Sequence, residues 1–185
     1  MCNVIAVLMP ESEELGKIHV ITGPGKGKTT AAFGLAMRAA GHGLKVCVIQ
    51  FMKSGETTGE LLAAWRLGGI DVWQFGTGRF VNPKSVTQED KGMAEKALKF
   101  AEESMVKGGF AMMILDEVNV ACAYHLIPTR EVIEILKARR SGIEIVLTGR
   151  DAPKEFIEVA DYVSVIENKK HPHEKGLGAR MGIEY

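Results

Sequence analysis

This sequence predicts an α/β fold, a mostly parallel sheet with helices on both faces, and three observations carry that expectation. From residue 17 onward, apolar runs of strand length alternate with amphipathic stretches of helix length. The runs at 45–51 (KVCVIQF) and 110–115 (FAMMIL) are close to continuously apolar, as strands buried on both faces of a parallel sheet are. The first apolar run also passes through a glycine-rich turn straight into a helix-forming stretch.

In chain order, residues 17–22 (KIHVIT) are β-branched and apolar and form the first strand. Gly23-Pro24-Gly25-Lys26-Gly27-Lys28-Thr29-Thr30 follows, and then a helix over 29–40 that stops at Gly41-His42-Gly43, a C-terminal cap. A strand at 45–51, a short helix at 55–67 and a strand at 70–75 come next. A loop beginning at Gly76 is closed by Asn82-Pro83, and a charged amphipathic helix fills 87–107. The strand at 110–115 ends in Asp116-Glu117, a helix spans 129–139, and the strand at 142–147 ends in Thr148-Gly149-Arg150. A helix at 153–160 and a strand at 162–166 complete the series, with no internal repeat.

The 185 residues suit a single domain, with an amino-terminal segment at 1–16 and a basic, glycine-rich tail at 169–185. Lys plus Arg and Asp plus Glu are both 23, so there is no overall basic field to draw the chain onto nucleic acid. Cys2, Cys47 and Cys122 are far apart, without metal-ligand spacing, and fit reduced thiols better than a disulfide framework. No stretch approaches the ~20 apolar residues needed to cross a bilayer, and no basic region precedes the short apolar run near the start. The expected location is the cytoplasm, with no membrane partner.

The turn at 23–30 has the chemistry of a phosphate-binding loop. Its glycines let successive N–H groups point inward, and those groups, the helix N-terminus and the Lys28 ammonium together cradle a polyphosphate. Thr29 supplies a hydroxyl for a magnesium ion. The usual pattern asks for glycine five residues before Gly27, where this chain has Thr22. Asp116-Glu117 lies where ligands gather in parallel sheets, at the carboxyl end of a strand, and offers carboxylates to such a metal. Arg150 either grips phosphate oxygens from the same rim or pairs with Asp151 at the surface, and Arg38 is equally open. Phe80, in the mobile glycine segment 76–83, is a lid over a flat ligand or simple loop packing. Trp65 and Trp73 read as core or partly buried packing, and His125, beside Tyr124, as a residue that can face the site.

Four stretches in order, HVITGPGKGKTTAAFGLAMRAAGHG at 19–43, VIQFMK at 48–53, ILDEVNVA at 114–121 and VLTGRDAP at 146–153, together with the ending KKHPHEKGLGARMGIEY, resemble the corrinoid adenosyltransferases that carry a phosphate loop. That resemblance implies a RecA-like P-loop NTPase fold. It also implies transfer of the 5′-deoxyadenosyl group of ATP to the Co(I) centre of a corrinoid, with release of triphosphate. The family's loop reads TGxGKGKT, which accounts for Thr22. On this basis Thr22, Gly23, Gly25, Lys26, Gly27, Lys28, Thr29 and Thr30 hold the nucleotide, with Arg38 and Arg150 as further contacts. Thr29 with Asp116 or Glu117 serves Mg2+ or Mn2+, and Lys28, Phe80 and Glu117 are the candidate catalytic residues. The resemblance further implies that Phe80 displaces the lower axial ligand of the corrinoid. The family's common pattern has a Trp shortly afterwards, where this chain offers Val81 and Asn82. A homodimer and an electron-donor protein such as a flavodoxin or a flavin reductase are implied as partners. A small kinase or ATPase, or a nucleotide-gated interaction module, is the alternative that the phosphate loop alone would allow.

Overall fold

The computed structural model describes residues 15–55, 57–172 and 176–184. Expectations for residues 1–14, which include Cys2, lie outside the described residues, as does part of the tail. Six strands form one sheet: β1 (Ile18–Thr22), β2 (Val46–Phe51), β3 (Ile70–Phe75), β4 (Met112–Asp116), β5 (Glu144–Thr148) and β6 (Tyr162–Val165). Their spatial order is β3-β2-β4-β5-β1-β6, and every described pairing is parallel. The sheet is therefore more uniform than the sequence requires.

The near-continuous apolar strands divide their side chains between two cores. Cys47, Ile49 and Phe51 of β2 and Met113 and Leu115 of β4 face one core, while Val46, Val48, Met112 and Ile114 face the other. A strand buried on both faces has no reason to alternate polar and apolar residues. Helices α1 (Lys28–Gly41) and α2 (Gly59–Leu67) cover the second face. Helices α3 (Gln88–Lys107), α4 (Val118–Ala123), α5 (Thr129–Ala138) and α6 (Lys154–Val159) cover the first. Thr87 caps α3 through a reciprocal pair in which the Asp90 N–H donates to Thr87 Oγ1 at 3.1 Å and the Thr87 N–H donates to Asp90 Oδ2 at 3.0 Å. Burial pushes the Cys47 and Cys122 thiols up to about 12, so both sit in the core as protonated thiols.

Three details depart from expectation. The helix foreseen over 55–67 starts only at Gly59, and the six-residue α4 was not foreseen at all. Its sequence, VNVACA, carries strand-like residues and is made helical by the turn at Glu117 and by packing on the sheet. Trp65 is not core or partly buried packing: it is 83% exposed, because α2 lies beside the edge strand β3 and buries only Ala64. Trp73 is also exposed, at 48%, on the edge strand β3, although its ring tilts against Phe100 with centroids 4.9 Å apart.

Candidate functional site

The loop between β1 and α1 is shaped by the chain that follows β6. A Cβ on Gly23 would sit 2.5 Å from the Ile166 carbonyl oxygen, and one on Gly25 would sit 2.6 Å from that of Glu167. Glycine is required there by close backbone approach. The Gly25 N–H donates to the Ile166 oxygen at 2.8 Å, fixing that approach. Gly27 then turns left-handed, with φ 113°, to start α1. Lys28 donates to the Gly23 and Gly25 carbonyls at 2.9 and 2.7 Å, so its ammonium is held at the loop's centre. Burial lowers its pKa, opposed by the nearby Glu117 carboxylate.

Register carries a row of polar side chains across the carboxyl ends of the strands. Gln74 lies opposite Gln50 and Gln50 opposite Asp116, while Thr148 lies opposite Ile21. Gln74 Nε2 donates to Gln50 Oε1 at 3.0 Å, and Gln50 Nε2 donates to Asp116 Oδ2 at 2.9 Å. Lys53 Nζ also donates to Asp116 Oδ2, at 3.1 Å. On the other oxygen, Thr29 Oγ1 donates at 2.9 Å and Thr148 Oγ1 at 2.7 Å. Asp116 is fully buried, and these four donors are what make a carboxylate tolerable there. Although burial disfavours the Lys53 cation, Asp116 outweighs it and the Lys53 pKa rises.

Thr148 does a second job by accepting the Glu117 N–H at 3.0 Å. Glu117 adopts a left-handed backbone, φ 65°, which redirects the chain into α4 and turns the carboxylate toward the loop. Burial and the adjacent Asp116 raise the Glu117 pKa, against Lys53, Lys28 and Arg150. Gly149, at φ 131°, leaves the space this turn needs, since a Cβ there would come within 3.2 Å of Glu117 Oε2.

The phosphate loop, Lys53 and Glu117 face one cavity of about 700 Å³, a size typical of small-molecule sites, with the Asp116 network behind them. Its far wall is the glycine segment after β3. Thr77 Oγ1 donates to Asp90 at 3.0 Å and Arg79 pairs with Glu89, tying the segment to the start of α3. Successive residues then point opposite ways: Phe80 is 90% exposed on the cavity wall, while Val81 is buried in the core. The tail forms another wall. Lys26 Nζ donates to the Ile183 carbonyl and to Glu184 Oε1, each at 3.0 Å. The Arg180 guanidinium and the Lys26 ammonium hold the Glu184 carboxyl down at about 2.

Gly25, Lys26, Gly27, Lys28, Thr29, Thr30, Phe80, Glu117 and Arg150 thus line one cavity, and Asp116 lies directly behind Thr29. Thr22 and Gly23 shape the loop from below: the Thr22 hydroxyl accepts the Ala152 N–H at 3.3 Å. Arg38 is not brought to the site. It is exposed in the last turn of α1, and ten residues from Lys28 at ~1.5 Å rise place it about 15 Å along the helix. His125 is exposed and outside the cavity, whereas its neighbour Tyr124 lines it. Sequence reasoning missed Gln50, Lys53 and Thr148 as site residues. The polar Gln50 inside an otherwise apolar strand, followed three residues later by a lysine, was the available signal.

A phosphate loop entering a helix, facing an acidic strand end across a shared cavity on a parallel sheet, defines a P-loop nucleotide-binding protein. The family described as ATP:corrinoid adenosyltransferase BtuR/CobO/CobP matches residues 14–185. A corrinoid adenosyltransferase of Sinorhizobium sp. is 39% identical over 183 residues, covering 97% of this chain and 85% of that protein. Those of Escherichia coli K12 and Salmonella typhimurium LT2, the latter named CobA, are each 37% identical over 185 residues, covering 99% of this chain and 92% of theirs. The chain belongs to the ATP:corrinoid adenosyltransferase family, and it is an enzyme of that class. Among the described residues no helix is long and apolar enough to cross a membrane.

Proposed function

We propose that the triphosphate of ATP lies on Gly25 to Thr30 with its ribose directed toward the wall that carries Phe80, where the corrinoid substrate is received. The observation that carries this reading is the shared cavity: phosphate-loop groups on its floor and an exposed aromatic on its wall. In the transfer, the electron pair of Co(I) forms the cobalt–carbon bond to the ribose 5′ carbon. The carbon–oxygen bond breaks, and its pair leaves on the triphosphate. Co(I) needs no general base, so the chain's work is to align the reactants and neutralise the leaving anion. Lys26, Lys28, Lys53 and Arg150 on the cavity wall supply that neutralisation.

The Thr29 hydroxyl and the carboxylates of Asp116 and Glu117 are an all-oxygen donor set, which fits Mg2+ or Mn2+. A bound divalent ion would add positive charge beside the phosphate oxygens. Asp116 already takes four hydrogen bonds, so it serves such an ion best by orienting Thr29. A protein electron donor and a homodimeric state accompany this proposal as properties the family resemblance implies. The test is anaerobic incubation with ATP, magnesium and a chemically reduced corrinoid, followed by the absorption spectrum and phosphate analysis. A light-sensitive cobalt–carbon product and one triphosphate per turnover are expected. ADP or orthophosphate as the only product, from folded protein, overturns the reading.

A further inference from the structure

The proposal drawn from the tail rests on the triphosphate site just described and concerns how that site releases its product. Lys26 projects from the phosphate loop, and its ammonium is held by Glu184 Oε1 and the Ile183 carbonyl, each at 3.0 Å. Glu184 is in turn gripped by Arg180 through three contacts: the Arg180 N–H at 2.9 Å, Nε at 3.2 Å and Nη2 at 3.2 Å. Lys26 is more than 150 positions from these tail residues in sequence, yet Lys26, Ile183 and Glu184 line the same cavity.

We propose that Glu184 is an intramolecular counter-anion that exchanges with the triphosphate at Lys26. When the anion arrives, Lys26 leaves Glu184 for phosphate oxygens, while Arg180 keeps the carboxylate in place at the cavity wall. After transfer, the leaving triphosphate retains every cationic contact, and the returning carboxylate competes for one of them. Two features favour exchange over simple packing. The Lys26–Glu184 pair is partly solvated, with side chains 42% and 23% exposed, so it opens without leaving a buried charge. The Arg180 contacts, made within one turn of the tail, fix the carboxylate independently of Lys26. Glu184 is thus a positioning residue, acting on the phosphates only through Lys26 and through its own charge.

The experiment is calorimetric titration of the full chain and of Glu184→Gln with inorganic triphosphate, and separately with ATP, both with magnesium. Exchange predicts that Glu184→Gln binds triphosphate roughly three- to tenfold more tightly, since a nearby like charge is removed. It also predicts stronger product inhibition by triphosphate in the transfer assay. In a Lys26→Ala background the Glu184→Gln gain should shrink, which a role confined to tail packing does not require. Unchanged or weaker binding by Glu184→Gln, beside normal binding by the parent chain, overturns the exchange and leaves the site intact. Failure of the parent chain to bind ATP or triphosphate overturns the site reading and the exchange with it.

Discussion

Asp116 gathers four donors from two strand ends, the chain just past β2 and a helix start onto two oxygens, so a change there removes an anchor for each of them. Asp116→Ala should leave buried hydroxyl and amide donors, and the Lys53 cation, without their acceptor. A loss of roughly 2–4 kcal/mol is expected, read as a lower urea midpoint. Glu117 behaves in the opposite sense. Its pKa is raised in the folded chain, so folding favours the protonated form. That contribution is fully present below the unfolded value, near 4.5, and is lost as pH rises through the folded one. Glu117→Gln in ligand-free protein should therefore raise the melting temperature at pH 8 relative to the parent, with the difference shrinking toward pH 4. Phe80 has little to do with stability, being 90% exposed. Phe80→Ala should leave the melting temperature unchanged, depress adenosylation coupled to Co(II) reduction, and spare transfer to Co(I) prepared chemically. Equal losses in both assays would reduce Phe80 to loop packing.

The segment that carries Phe80 is positioned by glycine at its first residue. A Cβ on Gly76 would lie 2.5 Å from the Met52 carbonyl carbon and 2.7 Å from the Lys53 nitrogen, both backbone atoms that cannot swing away. Gly76→Ala should therefore separate the ends of β2 and β3, destabilise the fold by about 1–3 kcal/mol, and impair both substrate subsites together, measurable as a rise in KM for ATP and for corrinoid. Element by element, what the sequence made legible follows from what each element needs. The strands and α3 were visible because buried apolar runs and a Thr87–Asp90 cap act locally. Helix α4 was hidden because its start depends on the Glu117 backbone turn and a hydroxyl from β5, neither of which leaves a local pattern. The phosphate loop and Asp116-Glu117 announced themselves by residue type and place. Gln50 and Thr148 join the site only through strand register, and Lys53 only by reaching Asp116, which composition cannot show. Arg38 looked equivalent to Arg150 as a bare cation, until helix length put it at the far end of α1.

At the scale of the molecule, six parallel strands deliver all their carboxyl ends to one rim. The strand β5 stands between β1 and β4, so those two strands do not pair, and the phosphate loop meets the acidic strand end through Thr29 Oγ1, which donates to the same Asp116 oxygen as Thr148 of β5. Depth within that rim differs sharply: Lys28 is 7% exposed at the bottom and Phe80 is 90% exposed at the top. With the substrates placed as proposed, an opening graded in this way predicts a queue. The nucleotide would enter before the macrocycle, whose bulk would then stopper the opening, and the spent anion would wait until the alkylated cofactor had moved aside. Steady-state inhibition should display this order: an unreactive corrinoid analogue would act uncompetitively toward ATP, and a mixed pattern would show the macrocycle binding without nucleotide and overturn it.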